Sequence, residues 1–125
     1  MINFHHLLLL VSGGAIGTIA RYLIFVMADR HFGKGFPYGT LIVNLLGSFL
    51  IGLIWGLFTK VNVPPAVRLF IFIGILGSFT TFSTFAFDNM NLIHEGAFKM
   101  LIINILLNNL LGIGLCITGY YLIRL

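Results

Sequence analysis

The run Arg68-Leu69-Phe70-Ile71-Phe72-Ile73-Gly74-Ile75-Leu76-Gly77-Ser78-Phe79-Thr80-Thr81-Phe82-Ser83-Thr84-Phe85-Ala86-Phe87-Asp88 decides the fold. Its charged ends enclose 19 uncharged residues, and a helix of about 20 mostly apolar residues is what crosses a hydrocarbon core of roughly 30 Å. The same spacing recurs outward from it. Twenty-five uncharged residues separate Lys34 from Lys60, and 24 separate Lys99 from Arg124. The first span is less clean, with Arg21 inside it. Four helices are therefore expected, over about 5–28, 38–59, 67–87 and 98–123, forming one transmembrane domain across residues 1–125. Short turn-like connections, Gly33-Lys34-Gly35-Phe36-Pro37 and Val63-Pro64-Pro65, separate them.

Composition excludes the alternatives. Of 125 residues, 59% are hydrophobic and 8% charged, whereas a soluble domain keeps roughly a quarter of its residues charged. A soluble enzyme, a secreted disulfide scaffold and a disordered tail are all excluded. Cys116 has no partner for an internal disulfide, and the net charge of +4 is scattered, so nucleic acid is not an expected partner. The N-terminal stretch lacks a basic leader region and a small-residue cleavage site, and is expected to be a mature helix. Spans apolar on every face must pack through small residues, and Gly13/Gly17 and Gly52/Gly56 offer pairs one turn apart.

Charge leaves the orientation open. Lys60, Arg68 and Arg124 lie at one end of the bundle and Arg30, Lys34 and Lys99 at the other, joined by Arg21 if it snorkels outward. Orientation follows the asymmetry of basic residues. With almost none, the chain either inserts both ways and pairs as an antiparallel dimer, or a small bias fixes one orientation.

Polar groups inside the spans point to a pathway, because they are costly in hydrocarbon unless paired or wetted. Five of the seven residues Ser78–Thr84 carry hydroxyls, directly after Gly77. Hydroxyls bond back to their own helix and bend it, so the third helix is expected to break here, exposing carbonyls that need a cation or donors. Asn44 is the strongly polar residue of the second span; Asn104, Asn108 and Asn109 lie in the fourth. Asn104 and Asn108 share a face and read as glue plus a wet track, Asn109 as glue between helices. No Asp or Glu is expected well inside a span, with Asp88 and Glu95 bracketing the loop after the third. The histidines lack ligand spacing, and no nucleophile–base constellation or phosphate loop is present. Energised transport and catalysis therefore lack parts, and the chain is not expected to be an enzyme. Neutral donors, phenyl rings and one arginine suit a small anion moving passively. Phe82 and Phe85, three residues apart, project from nearly one face, and an aromatic ring is positive at its edge.

Three motifs resemble the small fluoride channels of the Fluc or CrcB family: Gly13-Gly14-Ala15-Ile16-Gly17-Thr18-Ile19-Ala20-Arg21-Tyr22, the Gly39–Gly47 stretch around Asn44, and Gly77-Ser78-Phe79-Thr80-Thr81-Phe82-Ser83-Thr84-Phe85. The resemblance covers the whole chain and the last motif is the most specific. It implies an all-α membrane protein, an antiparallel homodimer inserted in both orientations with two pores lined by both subunits, in the plasma or inner membrane of a prokaryote. Phe82 and Phe85 would meet fluoride with ring edges, Asn44 would donate amide hydrogens, and Ser83 and Thr84 would supply hydroxyls. Arg21 would sit at the wide aqueous mouth. The carbonyls of Gly77 and Thr80 would hold a structural sodium ion at the dimer axis. Two departures stand out: Ser78 where the family often has glycine, and Asn104 and Asn108 where it commonly offers hydroxyls. The implied function is passive, fluoride-selective export that relieves fluoride toxicity. Its rivals are a dual-topology small-molecule exporter, which would need a carboxylate in the first helix, and a non-transporting membrane subunit, which would need no polar track.

Overall fold

The computed structural model describes residues 3–125, all helical apart from short connections. Helix α1 spans Phe4–Phe32, its first turn capped by the Asn3 side chain, which accepts from His5 N–H at 3.0 Å. It stops at Gly33, whose φ of 74° lies in the left-handed region that glycine adopts without a Cβ penalty. Pro37 precedes α2, Tyr38–Phe58. Proline at a helix start is pre-set in φ and lacks only an amide hydrogen that has no helical partner there, and Pro65 opens α3 in this way. Helix α3 covers 65–79, with a widened π-helical stretch at Leu69–Leu76. Two extended residues follow: Thr80 has ψ 159° and Thr81 has φ −152° and ψ 115°. Helix α4 then runs Phe82–His94, and after a turn at Gly96 (φ 70°) helix α5 runs Phe98–Leu122 with a π-helical turn at Leu107–Leu111.

Four helical stretches, Phe4–Phe32, Tyr38–Phe58, Pro65–His94 and Phe98–Leu122, are long and apolar enough to cross a membrane. Two limits differ from those read off the charges. The first helix continues to Phe32 rather than 28, which brings Asp29 into its last turn, exposed. The third continues to His94 rather than 87, so Asp88 lies in helix, not at the edge of a loop. Charge marks where hydrocarbon ends, not where a helix ends. Asp88 is half-buried and accepts a hydrogen bond from Thr40 Oγ1 at 2.6 Å, which offsets part of the cost of burying its carboxylate.

Packing follows the glycines. Helix α1 lies on the π-helical part of α3, where a Cβ on Gly13 would meet Phe70 O at 2.9 Å and one on Gly17 would strike Ile75 O and Ser78 Oγ. Helix α2 packs most extensively on α5: Gly52 and Gly56 sit against the Cys116 and Tyr120 carbonyls, and Gly119 against that of Phe49. Few large side chains are enclosed. The buried apolar residues are Ala28, Leu41, Val43, Leu76, Phe79, Phe85 and Leu92, while residues such as Ile19, Ile73, Leu110 and Ile113 are exposed. The accessible surface is 8005 Å², against about 6,700 Å² for a soluble monomer of this mass. Many large apolar side chains stand on that surface, as expected of helices that face lipid. At the end of the bundle carrying Lys60, Arg68 and Arg124, Arg68 stacks over Trp55 and Phe58 at 5.7 and 5.9 Å, and Arg124 over Tyr120 at 4.7 Å.

Candidate functional site

Where α3 gives way to α4, the backbone leaves the helical ladder and its polar groups must be met by side chains. Thr80 N–H still closes on Leu76 O at 3.0 Å. The next amide does not close on Gly77. Thr81 N–H donates instead to Asn44 Oδ1 at 2.8 Å, while Asn44 Nδ2 donates to Thr81 O at 3.1 Å. One asparagine of α2 thus satisfies both backbone groups of one extended residue. Thr81 also caps α4, its Oγ1 accepting from Thr84 N–H at 3.1 Å. Hydroxyls before the break are satisfied within α3: Ser78 Oγ donates to Gly74 O at 2.5 Å and Thr80 Oγ1 to Leu76 O at 3.0 Å.

Arg21 does not snorkel outward. It is half-buried, and its Nη1 reaches Thr80 O at 3.5 Å, so the basic residues at the two ends stand at three against three. The guanidinium belongs to the break.

The fourth-span amides extend the same network. Asn44 Nδ2 also donates to Asn108 Oδ1 at 2.9 Å. Asn108 Nδ2 donates to Asn104 Oδ1 at 2.9 Å and to Asn104 O at 3.1 Å, and Asn104 Nδ2 donates to Asn89 Oδ1 at 2.9 Å. Asn104 is 0% exposed, tolerable only because its amide is bonded on both sides. Asn109 does not glue helices together: its Nδ2 turns back to Ile105 O of its own helix at 2.7 Å.

A cavity of about 320 Å³ opens beside the break. Asn44, Gly77, Thr80, Phe82, Phe85 and Asn108 all line it, along with Gly47, Ser48, Thr81 and Asn109. The Phe82 and Phe85 rings lie 5.5 Å apart between centroids at 48°. Phe85 is 7% exposed and Phe82 76%, so one ring is fixed in the fold and the other stands free of it. Ser83, Thr84, Asn104 and Arg21 are not part of the cavity wall. Ser83 and Thr84 instead gather around the Thr81 hydroxyl, at 3.3 and 3.0 Å. Thr81 and Asn89 are the two participants that sequence reading did not single out. Thr81 was visible as a helix-capping residue three before Thr84, and Asn89 lies on the helical face of Phe82 and Phe85.

The oxygens at Gly77 and Thr80 suit a hard cation in part. The Gly77 carbonyl has lost its helical amide to Asn44, and Thr80 O has a single long bond from Arg21. Carbonyl oxygens carry two lone pairs each and are ligands that sodium-like cations accept.

Most of the chain has known relatives. Residues 8–120 match the family described as CrcB-like protein, Camphor Resistance (CrcB). A protein of Shewanella piezotolerans named Fluoride-specific ion channel FluC is 42% identical over 118 residues, covering 94% of this chain and 92% of its own. One of the same name from Shewanella frigidimarina is 43% identical over 117 residues, covering 94% and 91%. Fluoride-specific ion channel FluC 1 of Nitrobacter hamburgensis is 41% identical over 119 residues, covering 94% of both.

Proposed function

This chain belongs to the CrcB-like family, and from that premise we propose that it is a fluoride-specific ion channel, a multi-pass membrane protein that lets fluoride leave the cell passively. It is not an enzyme. The observation that carries the reading is the cavity at the break, where two phenyl rings 5.5 Å apart face amides and hydroxyls with no carboxylate in the wall. An anion there meets amide and hydroxyl donors and positive ring edges, with no carboxylate to repel it. Fluoride is small and strongly hydrated, so leaving water requires close replacement donors, which ring edges, amide hydrogens and hydroxyls supply in steps. A larger halide gains less from each. No energy source is needed, since an inside-negative potential drives an anion outward by about 2.3 kcal/mol per 100 mV.

The working unit, on this reading, is an antiparallel homodimer of oppositely inserted chains. Basic residues balanced at the two ends support it. So does the exposed Phe82 ring, which a second chain would enclose to complete the pore wall. A sodium ion at the dimer axis would be held by the Gly77 and Thr80 carbonyls of both protomers, giving the opened backbone a fixed countercharge; the diversion of Thr81 N–H to Asn44 supports this by freeing Gly77 O. Asn44 has both amide hydrogens engaged, on Thr81 O and Asn108 Oδ1, so it serves the anion by exchanging one of them. Ser83 and Thr84 act at the pathway's edge through the Thr81 hydroxyl. Arg21 gathers anions toward the break. An exporter driven by a carboxylate in the first helix is disfavoured because the only one there, Asp29, lies exposed in the last turn.

Purified protein in liposomes loaded with potassium fluoride, with valinomycin to carry the countercharge, tests the reading. Fluoride should appear outside within seconds at an electrode, and chloride-loaded vesicles should hold their contents. Protein that elutes as a single peak and releases no fluoride overturns it.

A further inference from the structure

We propose that Asn89 is a further donor on the ion pathway, met by the anion as it passes the Phe82–Phe85 ring pair; the assignment rests on the fluoride-channel reading above. Phe82, Phe85 and Asn89 are spaced three and four residues apart on α4, which puts them on one helical face. Asn89 continues the stripe that the two rings begin.

The amide network fixes which end of Asn89 is available. Thr81 N–H can only donate, so the group facing it must be the Asn44 oxygen. That orientation turns Asn44 Nδ2 toward Asn108, which must present its oxygen; Asn108 Nδ2 then faces two oxygens of Asn104, and Asn104 Nδ2 faces Asn89 Oδ1. Every rung donates in the same sense, from a backbone amide at the break to Asn89. Such a chain polarises cooperatively, and the strengthened donor is the last nitrogen, Asn89 Nδ2. That nitrogen has no acceptor among the described residues. Asn89 is half-buried, and no buried side-chain nitrogen or oxygen lacks a partner among the described residues, so Nδ2 opens onto accessible space. A donor with no acceptor, polarised by four preceding bonds and aligned with the ring pair, is what an anion needs and what a packing asparagine does not have.

Asn89→Asp and Asn89→Ala separate this role from that of a mere rung. Asp still accepts from Asn104 Nδ2, so the network stands, but it offers no amide hydrogen; Ala removes the donor without adding charge. Fluoride efflux from liposomes is measured beside the parent at equal protein, with gel filtration and a thermal melt on each. Both variants should elute as the parent does and conduct at least tenfold more slowly, with the Asp variant melting at the parent's temperature. Asn89→Asp conducting like the parent overturns the proposal, leaving Asn89 as a rung only. Asn89→Ala conducting like the parent also overturns it, since the Asp effect would then be charge repulsion. If Asn89→Ala does not fold, Asn89→Met, neutral, without an amide hydrogen and with a thioether that still accepts weakly, takes its place by the same criterion. A parent that releases no fluoride overturns the channel reading and this proposal together; a conducting parent with conducting variants overturns only this one.

Discussion

Helices α2 and α5 lie against each other from the middle of the bundle to the end carrying Lys60 and Arg124, yet the two halves of that contact are built from opposite materials. Near Lys60 and Arg124 the seam is dry. Gly52 and Gly56 admit the backbone of α5 at Cys116 and Tyr120, Gly119 admits α2 at Phe49, and among the described residues a side-chain hydrogen bond crosses only beyond the helix ends, where Lys60 Nζ donates to Ile123 O. Toward the middle, Asn44 and Asn108 join the helices through a hydrogen bond of 2.9 Å, with a cavity beside them. Without water to drive apolar association, helices in lipid associate by close approach or by polar bonds. This pair uses close approach at one end and polar bonds beside the cavity. On the channel reading proposed above, rigidity and passage would be separated along one helix pair.

The dry half is the more brittle. Gly52→Val would place its Cβ on the Cys116 carbonyl, a backbone atom that cannot step aside without moving α5. The cost should reach or exceed the upper end of the about 1–3 kcal/mol typical of overpacking. The expected outcome is loss of the single gel-filtration peak, and with it all fluoride flux. A folded, conducting Gly52→Val protein would mean the seam is not what aligns the cavity walls.

The wet half should fail in function before stability. Phe82 is 76% exposed within the chain, so Phe82→Ile keeps most of the volume, removes the ring edge and leaves the protomer fold intact. Fluoride efflux should fall by one to two orders of magnitude, since each 1.4 kcal/mol added to the barrier is about tenfold in rate. Flux equal to the parent's would make the ring a packing element and remove the contrast between the halves.

Thr118 gives the smallest effect. It lies in the dry half, exposed, and its hydroxyl donates only to Gly114 O of its own helix at 2.8 Å. Thr118→Val should change stability by no more than about 0.5 kcal/mol and leave efflux unchanged. A marked loss of flux would show that the dry half also takes part in conduction.

Much of this was legible beforehand, and the misses share a cause. The ring pair, Asn44 and the hydroxyl run stood out because polar and aromatic residues are conspicuous in an apolar span. Asn104 and Asn108 were found by their four-residue spacing. Asn89 carries no such signal, because it sits beside Asp88, which reads as the end of a span; the bond Asp88 accepts from Thr40 joins residues 48 apart. The π-helical stretches at Leu69–Leu76 and Leu107–Leu111 had no sequence signal at all.

The sequence by itself determined the number of crossings, their order and the place where the third loses its apolar character. Membrane thickness is a one-dimensional constraint, and the distance between charges measures it directly. Only the tertiary structure decided which polar group answers which: that Arg21 turns inward to Thr80, that Asn44 holds Thr81, and that the amide chain ends at Asn89. Helices apolar on all sides have no sequence-visible inner face. In a medium that offers no hydrogen bonds, each polar group takes whatever partner the packing brings within reach.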